Sequence, residues 1–299
     1  MSQALPSFSI IIPTHGRPRQ LRRCLESIAL LDYPADRLEA IVVDDGSPTP
    51  LDSETASCGD QVAVRLVQQE HAGPSTARNT GAGISRGKYL AFTDDDCTPS
   101  VDWLQALAAR FRATPNCGIG GRTVNLLAEN PYSAASQLLV TYLYAYYNTT
   151  PDEAQFFASN NLAVPADLFR SVGGFDTSFI RTAGEDRDLC DRWRHRGHRL
   201  VYAPEAIVYH AHELTFHTFW RQHFRYGRGA YQFHASRAQR GGGRFWIEPP
   251  RFYAGILRYP FSQPRGLAAK LTLMGLMIAS QAANAAGFAW EWARAFVTS

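Results

Sequence analysis

Along the first two thirds of the chain, short β-branched runs alternate with amphipathic stretches. Residues 8–12 form such a run and end at Pro13-Thr14-His15-Gly16-Arg17-Pro18, which predicts a strand and then a loop. Leu21, Cys24, Leu25, Ile28 and Ala29 recur at helical spacing, and Tyr33-Pro34 closes that helix. Further strands are predicted over 38–43, 62–68, 89–93, 118–124 and 158–164, with short ones over 200–202 and 206–209. Helices are predicted over 75–84, 103–111, 132–148, 167–172 and 184–196. This alternation implies an α/β fold with a mostly parallel sheet covered on both faces. Ligands of such sheets sit beyond the carboxyl ends of the strands. By that rule Thr14, Asp44, Asp45 and the run Asp94-Asp95-Asp96 share one rim.

The pattern changes after residue 212. Residues 216–259 mix Arg and His with Trp, Phe and Tyr, the composition of a membrane-interface layer. Residues 266–290 are apolar and Ala-rich, interrupted by Lys270, Ser280, Gln281 and Asn284. A spanning helix needs about 20 mainly apolar residues. The first reading of this segment is an interfacial helix, the second a buried amphipathic helix or a homo-oligomer contact, the third a true span. The expected division is therefore 1–212 as an α/β unit and 213–299 as a basic, aromatic helical region.

Composition adds less. The 299 residues are 45% hydrophobic and carry a net charge of +3, too near balance to imply nucleic-acid binding. Arginines cluster between 187 and 199 and again beyond 221, where they suit solvated helix faces, phosphates or anionic lipid heads. Five cysteines without CxxC spacing argue against a zinc site or a disulfide framework and favour a reducing compartment. The N-terminal residues lack the features of a secretory signal, so the expected location is cytoplasmic.

Three adjacent carboxylates repel one another and need a cation or an exposed turn. Asp94, Asp95 and Asp96 offer hard oxygen ligands to a divalent cation that holds a nucleotide diphosphate, with His210 completing the shell. Such a cation neutralises charge on a departing diphosphate. Asp186, far away in sequence, is the candidate base for an attacking hydroxyl, although Glu185 and Asp186 also suit a helix N-terminus. Asp44 or Asp45 can accept from a nucleobase or ribose, and Arg78 can pair with the nucleotide or with these acids.

Several ordered motifs then resemble glycosyltransferase family 2. They are Ser9-Ile10-Ile11-Ile12-Pro13-Thr14, Val43-Asp44-Asp45-Gly46-Ser47, Gly73-Pro74-Ser75-Thr76-Ala77-Arg78-Asn79 and Phe92-Thr93-Asp94-Asp95-Asp96, the last similar to the DXD element. Ser159-Asn160-Asn161, Gly173-Gly174-Phe175-Asp176 and Gly184-Glu185-Asp186 are similar to its acceptor-side signature. The resemblance covers roughly residues 8–212. It implies a GT-A fold, with a nucleotide-sugar half to about residue 125 and an acceptor half to 212. It also implies inverting transfer from a UDP- or GDP-linked sugar with Mg2+ or Mn2+.

Carried over by position, Pro13, Thr14, Arg17, Asp45, Arg78, Asp94 and Asp95 would hold the nucleotide sugar. Asn160, Asn161 and Glu185 would face the acceptor, Asp94, Asp96 and His210 the metal, and Asp186 would be the base. The QxxRW element of processive members is missing; Trp220 to Gly229 stands in its place, which favours transfer of a single sugar. The expected setting is the cytoplasmic face of a membrane, in cell-envelope or exopolysaccharide assembly, with a glycan or lipid-linked acceptor. The competing readings are a catalytically silent nucleotide-sugar-binding or assembly subunit and a nucleotidyltransferase. The second of these would want a GxxxxGK loop, which the chain lacks.

Overall fold

The computed structural model describes residues 5–49, 51, 62–179, 183–241 and 248–297; Cys58 lies outside them. Eight strands form one sheet in the order β3-β2-β1-β4-β7-β6-β8-β5. The strands are β1 (Phe8–Thr14), β2 (Leu38–Asp45), β3 (Ala63–Gln69), β4 (Tyr89–Phe92), β5 (Cys97–Pro99), β6 (Gly118–Asn125), β7 (Leu162–Pro165) and β8 (Leu200–His210). β3, β2, β1 and β4 are parallel, as expected. β7 runs antiparallel to both β4 and β6, and β5 antiparallel to β8, so the sheet is mixed.

The central strands are buried because helices cover both faces. Ile10, Ile12, Ala40 and Val42 pack on α1 (Pro18–Ala29) and α3 (Trp103–Ala113). The alternating residues Ile11, Ile41 and Val43 pack on the other side with α2 (Pro74–Ile84), α5 (Ala166–Val172) and α6 (Glu185–His195). Period-two alternation inside an unbroken apolar run thus supplies two cores at once.

Two departures from the sequence pattern shape the rim. β5 follows the acidic run at once and pairs with β8, setting Cys97 opposite His210. Pro99 is tolerated there because β5 is an edge strand. The two short strands predicted near 200 and 206 are one strand, β8, bulged at Pro204–Ala206: Gly121 pairs with Ala203, but Arg122 pairs with Ile207. The expected strand over 158–164 starts only at Leu162, after a single tight turn at Ser159–Asn161.

The remaining helices are α4 (Pro131–Tyr147), α7 (Phe216–Gln239), α8 (Pro250–Arg258) and α9 (Leu267–Val297). They share a third apolar core that includes Leu138, Tyr142, Phe219, Phe252, Ile256 and Met277. Gly227 and Gly229 let α7 touch backbone on two sides. A methyl at 227 would overlap the Asn284 carbonyl of α9, and one at 229 the Ala183 carbonyl just ahead of α6. Leu271, Ile278, Trp290 and Phe296 on α9 stay exposed.

Candidate active site

The carboxyl ends of β1, β2 and β4 do meet at one rim, where a cavity of about 1320 Å³ opens. Pro13, Thr14, Arg17, Asp45, Arg78, Asp94, Asp95, Asp96, Asn160, Glu185, Asp186 and His210 all line it. Among the residues expected at the site, Asp44 does not line the cavity, its Oδ1 accepting from Ser47 N at 2.9 Å, and neither does Asn161. It is 1% exposed and staples the β8 bulge: its amide donates to the carbonyls of Ala206 (3.0 Å) and Arg122 (3.1 Å), and its Oδ1 accepts from Trp103 Nε1 (3.0 Å).

The three aspartates diverge, and each finds a different partner. Asp94 Oδ1 accepts from Arg78 at 2.7 Å. Asp95 accepts from Thr14 Oγ1 at 2.7 Å and from Arg17 at 3.1 Å. Asp96 lies 3.2 Å from both Arg17 and His210 Nε2. Burial raises Asp95 to about 6 despite the Arg17 charge. Burial would raise Asp96 as well, but the His210 hydrogen bond and charge prevail and hold it far below the usual carboxylate range.

Arg78 joins the two sides of the cavity. Its guanidinium is buried, donates to Asp94 and, at 3.2 Å, to Glu185 Oε1, and lies 5.4 Å from the Phe175 ring centroid. Desolvation opposes its charge, and the carboxylates of Asp94 and Glu185 more than restore it. Asp186, next to Glu185 at the start of α6, is raised to about 7 by burial and by the Glu185 charge. Its Oδ1 accepts from the Arg187 backbone N–H at 2.7 Å. Gly184 makes this helix start, with φ of 115°.

Asp45 is saturated. Gln69 Nε2 and Ala72 N donate to one oxygen and Gly73 N to the other, each at 2.8 Å, and His71 Nδ1 lies 3.0 Å from the second. Its carboxylate therefore shapes the 69–73 loop. The rings of His15 and His71 meet beside it at a tilt, with centroids 4.4 Å apart.

His212 escaped the sequence reading. Asp96, His210 and His212 offer three ligand atoms all within 4.8 Å of one another, a set that fits a divalent metal. Asp94, also expected among the ligands, holds Arg78 through Oδ1 and lines the same rim. The sequence signal for His212 was the His210-Ala211-His212 spacing, and its meaning depends on β5, just ahead of which the Asp96 backbone carbonyl accepts from Ala211 N at 2.9 Å. Gln222, Arg225 and Tyr226, on one face of α7, also line the cavity. The stretch Gln222-His223-Phe224-Arg225-Tyr226, set aside above, departs from QxxRW only in its final residue.

The family model described as "Glycosyl transferase family 2" matches residues 9–173, which run from β1 through the acidic rim to the end of α5. The chain belongs to glycosyltransferase family 2. Its relatives include a Pre-mycofactocin glycosyltransferase of Mycobacterium tuberculosis, 32% identical over 210 residues, 68% of this chain and 42% of that one. The chain thus spans less than half the length of this relative. Glycosyltransferase AglE of Haloferax volcanii is 28% identical over 235 residues, 78% of this chain and 75% of that protein. Among solved structures, the mannosyltransferase PcManGT from Pyrobaculum calidifontis, in complex with GDP-Man and Mn2+, superposes with a TM-score of 0.62. That match has 20% identity and covers 99% of this chain and 81% of the other, a likeness of fold that makes this a GT-A sheet.

Proposed function

We propose that the chain transfers a single sugar from a nucleotide-diphosphate sugar to a hydroxyl acceptor, with inversion at the sugar carbon and Asp186 as the base. The observation that carries this is the cavity itself. One continuous space is lined by the acidic rim and by Asp186, with Arg78 bound to acids on both sides. A pKa near 7 suits a group that is ionised in the resting enzyme and accepts a proton during reaction.

Asp186 takes the proton of the acceptor hydroxyl as its oxygen bonds to the sugar carbon. The bond from that carbon to the diphosphate oxygen breaks, and the leaving group keeps the electron pair. Arg17 is positioned to meet the negative charge on the phosphates, and Thr14 fixes Asp95 behind it. Asp96, His210 and His212 would hold a divalent ion, which supplies Lewis-acid stabilisation of the departing diphosphate. Two imidazoles beside one carboxylate favour Mn2+ or another transition ion over Mg2+, which prefers oxygen. The GDP-Man and Mn2+ bound by PcManGT support a nucleotide sugar and such an ion here.

Transfer of one sugar, not polymer synthesis, is favoured by the departure of the Gln222–Tyr226 stretch from QxxRW at its last residue. The exposed apolar residues of α9 support docking at a membrane surface. Replacing Asp186→Asn is expected to leave nucleotide-sugar affinity within about twofold and to lower transfer by about a thousandfold. Calorimetric binding and release of the free nucleotide diphosphate measure the two effects. Retained turnover would remove Asp186 from the mechanism.

A further inference from the structure

The cavity continues past the carboxylates. Beyond Asp186 and Tyr226 it runs between α4, α7, α8 and α9, where Leu143, Phe233, Phe252, Ile256, Phe288 and Trp292 line it. The whole space, about 1320 Å³, exceeds the roughly 300–1,000 Å³ typical of small-ligand sites. Its two ends differ in chemistry. The rim end holds Asp94, Asp95, Asp96, Arg17 and Arg78, whereas in the far arm the charged pair Arg187 and Glu248 and the hydroxyl of Tyr147 are matched to one another. Tyr147 donates to Glu248 at 2.6 Å, and Arg187 lies 3.9 Å from the same carboxylate, with its guanidinium 4.7 Å from the Phe233 ring centroid. A hydrophilic chain entering this arm would lose water and gain few partners, while an aliphatic chain would release water from apolar walls.

The arm also has an exit of fitting character. Tyr253 and Trp292 line it and are 40% and 52% exposed, so they stand at its mouth. Leu257 lies one turn from Tyr253 on α8, and Phe296 touches Trp292, with centroids 5.1 Å apart. Trp290 and Phe296 are 55% and 70% exposed. Aromatic and aliphatic side chains around an opening suit contact with hydrocarbon at a bilayer surface.

We infer that the acceptor is a lipid-linked alcohol. Its hydroxyl-bearing head lies at Asp186, and its aliphatic chain follows the arm between α4, α7, α8 and α9 and leaves between Tyr253 and Trp292. This rests on the transferase reading and adds the chemical class of the acceptor.

The test uses the full chain with n-butyl and n-dodecyl β-D-glucoside as probes, each below its micelle concentration, and a dodecyl glucoside brominated at the chain end. Dodecyl glucoside binds at least about a hundredfold more tightly than the butyl compound, since each fully buried methylene strengthens binding about fourfold. The brominated probe quenches tryptophan fluorescence, and Trp292→Phe removes most of that quenching. Ala285→Phe and, independently, Ala230→Phe fill the arm and abolish the chain-length dependence. Binding of GDP or UDP with Mn2+ to the same variants reports that the donor end is intact. Equal affinity for the two chain lengths overturns the inference, as does dodecyl binding that neither filling variant weakens, because the chain then lies on the outer surface. Loss of nucleotide binding in the unaltered protein would defeat the transferase reading while leaving chain binding to be judged by its own result.

Discussion

Burial beside Glu185 makes ionisation of Asp186 costly, and the resulting pKa of about 7 has opposite consequences for rate and for stability. As a base it must be deprotonated, so transfer falls about tenfold per pH unit below that value and levels off above it; initial rates from roughly pH 5 to 9 check this. For stability, the folded chain keeps this proton between about pH 4 and 7, where the unfolded chain has released it. The contribution of this group is therefore fullest in acid and is lost as pH rises through about 7. Asp186→Asn then stabilises the fold on the order of 2 kcal/mol at about pH 8 while removing transfer, and thermal melts measure it. His212→Ala raises the Mn2+ concentration needed for half-maximal activity by about tenfold or more, read by titrating metal into chelator-treated protein. Asp45 and the run Asp94 to Asp96 were legible because they end apolar runs. His212 was not, since only the pairing of β5 with β8 brings it near Asp96.

Among the elements, the β8 bulge shows how a short irregularity holds the rim. Pro204 cannot donate to a ladder, and Asn161 ties the freed Ala206 carbonyl to Arg122 and Trp103. Asn161→Ala leaves these buried groups unpaired and costs about 2–4 kcal/mol, which denaturant unfolding would show as a lower midpoint with an unchanged slope. Periodicity found β1 to β4 and most helices, because fully covered strands and amphipathic helices write their burial into the sequence. It did not find β5, at three residues too short to have a period, and it cut β8 in two at Pro204. The resemblance placed Asn161 at the acceptor, whereas it is a structural staple; sequence proximity to Asn160, which does line the cavity, gave no way to separate them.

For the whole molecule, composition announced a different C-terminal third without fixing its form. The α9 helix, about 45 Å long, is apolar enough to cross a membrane, yet it packs along α7 with 28% of its most apolar window buried. The buried-helix reading therefore describes one face of it, and the other face is exposed. Docking through the open face predicts that Ile278→Glu, at a position 50% exposed, lowers co-sedimentation with anionic vesicles by about tenfold while leaving helix content unchanged. Equal sedimentation of the two proteins would reject that face as the contact. The glycines at 227 and 229 extend this to mechanics. Where bare main chain rests on bare main chain, no side chain can rearrange to absorb a displacement. Tilting the outermost helix must drag the start of α6 with it, so whatever that helix leans on has a stiff linkage to Asp186.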